Sequence, residues 1–282
     1  MAQSSRSILI TGCSTGIGYH CAHAMKHRGW QVFASVRNDA DKQRLESEGL
    51  TTVLLDYTDS ASIAACAAQV LEATGGKLDA LFNNGAYGQI GAVEDLSTDV
   101  LRAQFEANFF GWHDLTQKLL PAMREAGHGR IVQCSSILGI ISMKYRGAYS
   151  SSKFALESLS DTLRMELDGT GIYVSLIEPG PIKSRFVART IEVFDETIDQ
   201  KNSQYKQDYN ARMLKMKSGG TSRFKLGADA VQKRLVHAVE HKNPRPRYYV
   251  TTPTYVMGAL KRILTHRAMD RFLIKRSNDE LK

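Results

Sequence analysis

The sequence predicts an α/β fold, a doubly wound parallel sheet of seven strands with helices on both faces. Three observations predict it: short β-branched runs alternate with longer stretches of helical period, a glycine-rich turn follows the first run directly, and 282 residues with 43% hydrophobic content can fill one large core. The expected strands are 7–11, 31–35, 52–55, 80–82, 130–134, 173–177 and 247–250. The expected helices between them are 17–28, 39–47, 60–74, 98–125, 149–168 and 228–241. Right-handed crossovers then leave the ligand site beyond the carboxyl ends of the strands.

The chain reads as a single domain over 1–282 with two additions. The alternation breaks at 183–226, a polar stretch ending near Gly219-Gly220, and a break this long in such a position suits a lid over a substrate cleft. At 254–276 an extension of helical period carries Met257, Leu260 and Leu264 on one face and six Lys or Arg residues. One or two helices packed on the domain are the plainer reading of this extension, and a membrane-surface or partner-binding helix the sharper one.

The formal charge of +8 suits solubility and anionic ligands, and no aromatic–basic interleaving or zinc-finger spacing points to nucleic acid. Cys13, Cys21, Cys66 and Cys134 form no C-x-x-C pair and read as buried thiols in a reducing compartment, with no metal site expected. Met1–Ser7 is polar and lacks a signal-peptide core, no apolar run spans a bilayer, and Lys282 after Asp279-Glu280-Leu281 breaks an ER-retention ending. A cytoplasmic protein is expected.

Between the first strand and helix lies Thr11-Gly12-Cys13-Ser14-Thr15-Gly16-Ile17-Gly18. Gly12 permits a tight turn, Gly16 lets backbone approach a pyrophosphate, and Gly18 lets the helix approach the strand, so free N–H groups meet phosphate charge. An acid at the end of the second strand would accept from a ribose 2′-hydroxyl and favour NAD. Arg37 stands there instead and suits a forked contact with a 2′-phosphate, with Ser14 adding a hydroxyl; Asp39 and Asp41 just beyond keep NAD open.

Tyr149 and Lys153 share one face of a predicted helix. A free tyrosine titrates near 10, and a neighbouring ammonium stabilises its phenolate. That spacing alone arises by chance on many helices. Ser136, thirteen residues upstream at a strand end, offers a hydroxyl to hold a substrate oxygen, although a strand-end serine also satisfies backbone groups. Asn108 interrupts a helical pattern as a mediocre helix former, which suits a tolerated polar position or a contact supporting a proton relay.

Together these motifs resemble the short-chain dehydrogenase/reductase family over about the first 250 residues: T-G-x-x-x-G-I-G at 11–18, Asp56, N-N-G-A at 83–86, Asn108, Ser136, Tyr149, Lys153 and Pro179-Gly180. Cys13-Ser14, Arg37 and the run 175–182 are similar to a branch holding NADP-dependent aldehyde reductases, 17-beta-hydroxysteroid dehydrogenases and retinol dehydrogenases. The resemblance implies a Rossmann fold and hydride transfer with NADP(H). It makes Tyr149 the proton donor in reduction, Lys153 the group that lowers the tyrosine pKa and binds the nicotinamide ribose, Ser136 the carbonyl holder, and Asn108 the holder of a water linking Lys153 to solvent. It places Asp56 and Tyr57 near the adenine, Asn83 beside the adenosine ribose, Gly85 among the cofactor-binding residues, Pro179, Gly180 and Ile182 near the nicotinamide, and the Ser184 hydroxyl within reach of the carboxamide or a phosphate. It also implies a homodimer or homotetramer through the helices at 98–125 and 149–168.

Two departures stand out. The family's usual N-N-A-G is Asn83-Asn84-Gly85-Ala86 here, and Ser184 replaces the usual threonine of the Pro-Gly segment. The expected reaction is NADPH-dependent reduction of an apolar aldehyde or ketone. The rivals are an NADP(H)-sensing regulatory protein, which needs no Ser-Tyr-Lys set, and a membrane-associated retinoid, lipid or steroid reductase held by 254–276.

Overall fold

The computed structural model describes residues 6–218 and 224–279, so the Gly219-Gly220 turn, most of the polar N-terminus and the last three residues lie outside the described residues. Seven parallel strands form one sheet in the order β3-β2-β1-β4-β5-β6-β7. They are β1 (Ser7–Ile10), β2 (Gln31–Val36), β3 (Thr51–Leu54), β4 (Ala80–Asn83), β5 (Gly129–Cys134), β6 (Ile172–Glu178) and β7 (Arg247–Tyr249). The central strands are buried on both faces, which explains their unbroken apolar runs: every residue of β1 and β4 is inaccessible or nearly so. Helices α1 (Gly16–His27), α2 (Asp39–Ser47) and α3 (Ser60–Ala73) connect the first four strands. The strand order reverses between β1 and β4, and in sheets of this kind the ligand crevice lies at the carboxyl ends of the strands at that point.

The expected strand positions hold within a residue or two. The expected single helix at 98–125 does not: α4 (Thr98–Phe105) and α5 (Gly111–Ala126) are separated by a π-helical turn, Glu106–Phe110. Such widened turns arise where a helix must accommodate a local contact, often at functional sites. This one holds Asn108, fully buried. Helix α6 (Gly147–Glu166) follows β5, and α9 (Asp229–Glu240) precedes β7.

The stretch expected as a long polar break is mostly helical. It contains α7 (Phe186–Thr197) and α8 (Lys206–Lys217). Its apolar residues are sparse but converge on a second small core of Ile90, Ala92, Tyr145, Phe194, Ile198, Tyr209 and Met213. The Tyr209 hydroxyl accepts from the Ala92 N–H at 2.7 Å and donates to the Asp95 carboxylate. The neck of the insertion is closed by a bridge in which the Lys183 N–H donates to the Leu226 carbonyl at 2.9 Å and the Leu226 N–H to Pro181 at 3.1 Å. The final extension is two helices, α10 (Thr252–Ile263) and α11 (His266–Asp279). No helix among the described residues is long and apolar enough to cross a membrane.

Candidate active site

The turn after β1 is shaped by close backbone packing. Gly12 has φ +67°, and a Cβ there would lie 2.4 Å from the Gly85 Cα. A Cβ on Gly18 would lie 2.3 Å from the Gly12 carbonyl oxygen. These three glycines therefore bring the first turn, the start of α1 and the end of β4 into contact that no side chain permits. The swapped Gly85-Ala86 order places the smaller residue against Gly12, so the departure from the family pattern is accommodated at the point of closest approach.

Thr11 pins this junction. Its hydroxyl accepts the Asn84 N–H at 2.8 Å and the Gly85 N–H at 3.0 Å, while the Asn84 amide donates to the Thr11 carbonyl at 2.9 Å. The Gly12 N–H is held by the Ser35 hydroxyl at 3.2 Å, tying the turn to β2. Helix α1 begins after Thr15 with no side-chain cap, which leaves its first N–H groups directed at the crevice. Ser184, beyond β6, approaches from the other side: a Cβ on Gly16 would lie 3.1 Å from the Ser184 Cβ. The residues present therefore fit a dinucleotide pyrophosphate between Gly12–Gly18 and Ser184.

Arg37, one residue past β2, is exposed and has no ion pair or hydrogen bond among the described residues. The nearby Arg44 is committed to Asp41, Glu48 and the Ser14 carbonyl. Asp39 and Asp41 lie in the first turn of α2, where the helix dipole favours them. Asp56 is partly exposed and accepts from the Thr58 N–H at 2.9 Å.

Tyr57 and Asn83, expected near the adenine and beside the adenosine ribose, turn their side chains into the β1–β4 junction. The Tyr57 hydroxyl bonds Thr11 Oγ1 at 2.8 Å and Asn83 Oδ1 at 2.7 Å, and Asn83 donates onward to Thr116. Both side chains are buried, so this network holds the β1–β4 junction from beneath. Gly180 and Ile182 follow β6; a Cβ on Gly180 would lie 2.1 Å from Thr251 Oγ1, and Ile182 is buried at the neck bridge. The Pro179 carbonyl accepts the Ile137 N–H at 2.8 Å, linking this segment to the loop after Ser136.

Tyr149, Lys153 and Ser136 are brought together beside this cradle. Ser136 lies two residues past β5 and its hydroxyl accepts the Leu138 N–H at 3.1 Å, so it does cap a turn as well as face the phenol. Burial pushes the Tyr149 phenol well above its ordinary value, and the Ser136 hydroxyl beside it pulls partly back. The Phe186 ring meets the Tyr149 ring edge-on at 5.6 Å.

The Lys153 ammonium is buried, donates to the Cys134 carbonyl at 2.9 Å and lies 4.1 Å from the centre of the Trp112 ring. Desolvation draws it down to about 8, with Cys134 and Glu157 acting the other way. Asn108 pairs at two points with the Tyr87 backbone, accepting its N–H at 3.2 Å and donating to its carbonyl at 2.8 Å. The contact expected of Asn108 is thus to backbone, and it fixes the segment after β4 against the π turn.

The sequence reading missed several supports. Trp112 lies four residues after Asn108, and Glu157 four after Lys153, so helical spacing was the available signal. Glu157 shares Arg247 with Asp161 and Glu178: Arg247 reaches Glu157 at 3.1 Å, Asp161 at 2.6 Å and Glu178 at 3.2 Å. Burial, then the Glu157 charge, pushes Glu178 up to about 9.

With this geometry in view, the sequence profile of the family described as short chain dehydrogenase matches residues 6–193. The chain is 42% identical over 268 residues to the protein named uncharacterized oxidoreductase YbbO of Escherichia coli (strain K12), covering 95% of this chain and 94% of the relative. It is 31% identical over 280 residues to the NADPH-dependent 3-dehydrocapnine reductase of Ornithobacterium rhinotracheale, covering 96% of each. The crystal structure of a short-chain dehydrogenase from Streptomyces avermitilis superposes with a TM-score of 0.75 at 27% identity, covering 92% of each chain. The chain belongs to the short-chain dehydrogenase family and is an oxidoreductase with a Rossmann-like, seven-stranded parallel fold.

Proposed function

From that membership as premise, we propose that the protein reduces an aldehyde or ketone with NADPH, with Tyr149 as proton donor. The observation that carries the reading is the convergence of Tyr149, Ser136 and buried Lys153, with Lys153 set against Trp112, which donates to the Gly85 carbonyl of the cradle. When bound, the dinucleotide supplies the hydride.

The chain's own residues do the rest. Ser136 and Tyr149 together hold the substrate oxygen. The raised phenol is neutral near pH 7 and gives its proton to that oxygen as charge develops on it. The Lys153 ammonium stabilises the phenolate left behind, and Trp112 and the Cys134 carbonyl keep it in place. Asn108 holds the Tyr87 backbone against the π turn. The preference for NADPH rests on Arg37, exposed and unpaired among the described residues where a 2′-phosphate would lie. The NADPH dependence named for the 3-dehydrocapnine reductase supports that reading.

The α7–α8 insertion covers the substrate side, and Phe186 against Tyr149 favours an apolar substrate. The exposed Leu101, Phe110 and Met165 on the α4–α6 helices suit association into a dimer or tetramer, and the four buried thiols suit the cytoplasm. The test is a panel of aldehydes and ketones assayed with NADPH and NADH. Reduction with a clear NADPH preference is expected. Inactivity throughout overturns the reading, and equal efficiency with both cofactors overturns its NADP half.

A further inference from the structure

At the sheet's free edge, away from the glycine turn in sequence and built by other elements, a cleft is lined by Arg234 of α9, Arg245, Arg247, Tyr248 and Tyr249 at β7, and Tyr255 and Arg262 of α10. Four arginines and no acidic residue line it. Arg247 is turned inward and neutralised by Glu157 and Asp161. Arg234, Arg245 and Arg262 have no acidic partner among the described residues; Arg234 reaches only the Tyr255 hydroxyl, at 3.4 Å. Several other arginines of this chain are paired, such as Arg28 with Glu240 and Arg164 with Asp161, while Arg37 beyond β2 has no partner among the described residues; what sets the cleft apart is three such arginines lining one space. The cleft therefore concentrates about three uncompensated positive charges.

Its walls are fixed. The Tyr248 hydroxyl accepts the Arg245 N–H at 2.8 Å and bonds His237 Nδ1 at 2.8 Å, holding the approach to β7 against α9. Tyr249 and Tyr255 meet edge-on at 5.3 Å. Gly258 makes that possible, because a Cβ there would lie 2.7 Å from the Tyr249 ring. The local positive charge is also felt by His237, which burial first, and then His241, Arg245 and Arg234, hold below the ordinary histidine value.

We propose that this cleft is a binding site for a phosphate group, distinct from the cofactor turn. Guanidinium forks from Arg234, Arg245 and Arg262 match phosphate oxygens, and the tyrosine rings offer a flat wall and hydroxyl donors for whatever the phosphate carries. A second copy of this chain is a poor occupant. A two-fold interface would set the same unpaired arginines against each other. The phosphate can come from a soluble metabolite or from a lipid headgroup, since Val256 and Ile263 on α10 are exposed nearby in sequence.

The test titrates inorganic pyrophosphate calorimetrically into the full chain saturated with NADP+, so that the cofactor turn is already filled. It is paired with sedimentation of phosphatidylcholine vesicles with and without phosphatidate. The variants are the R234A/R262A double variant and, as a control for general surface charge, R102A, a residue of α4. Saturable binding that weakens about tenfold or more in the double variant, but not in R102A, supports the site. Pyrophosphate binding then identifies a soluble ligand, and binding only to phosphatidate vesicles identifies a headgroup. An unchanged melting temperature shows that the double variant is folded. Equal binding by wild type, R102A and the double variant overturns the proposal, as does the absence of binding in both arms up to about 10 mM pyrophosphate.

Discussion

The cradle around Gly12 and the α7–α8 cap are built by different means. The cradle rests on backbone meeting backbone: Gly12 against Gly85, Gly18 against the Gly12 carbonyl, with Thr11 fastening both strands. Beyond the backbone bridge at its neck, the cap rests on side chains: a small aromatic core and the hydrogen bonds of Tyr209. A site made of backbone contacts has no room for substitution. A cap made of side chains can be repacked to suit another substrate while the chemistry beneath is unchanged.

The largest effect is expected at Tyr149, against which the cap sets Phe186. Tyr149→Phe removes the proton donor and should lower turnover by about 10²–10⁴-fold while fluorescence titration still detects NADPH binding. Near-normal turnover would remove Tyr149 from the chemistry. In the cradle, Gly12→Ala places a Cβ at positive φ and against Gly85, so stability should fall by about 1–3 kcal/mol and NADPH binding should weaken with it. Arg37→Ala should reduce kcat/KM for NADPH by about 10–100-fold and leave NADH nearly unchanged, the difference a charge-assisted phosphate contact makes.

The pH profile follows from Lys153. Burial lowers its pKa, so the ammonium is present below about 8 and is lost above it. The rate of reduction should therefore hold near neutrality and fall by about tenfold per unit on the alkaline side. A flat profile to pH 10 would mean that the charged form is not needed. The smallest effect belongs to the cap. Tyr209→Phe leaves the Ala92 N–H and the Asp95 carboxylate without the hydroxyl, costing about 1–2 kcal/mol, and should raise KM with little change in kcat. A kcat loss as large as that of Tyr149→Phe would erase the distinction between cap and cradle.

This contrast also explains what was legible in the sequence. The cradle shows in glycine spacing because only glycine satisfies those contacts, and Tyr149, Lys153 and Ser136 show because one helix face and one strand end fix them. Strand positions were readable because buried parallel strands are continuously apolar. The helices of the cap were not, because α8 has the composition of a polar linker and is held by Tyr209 and Met213 through contacts distant in sequence. The π turn was hidden for the same reason: it answers to the Asn108–Tyr87 pairing, across 21 residues of chain. The family motif places Tyr57 and Asn83 near the cofactor but does not disclose that their hydrogen bonds lead inward to Thr11 and Thr116.

The most direct test of the central claim follows the hydride itself. The full chain is supplied with NADPH deuterated at C4 on each face in turn, together with an aldehyde or ketone that it turns over, and the product alcohol is weighed. The account predicts that one of the two labelled cofactors yields alcohol one mass unit heavier, with the deuterium on the former carbonyl carbon. Product alcohol without deuterium from either labelled cofactor would contradict it.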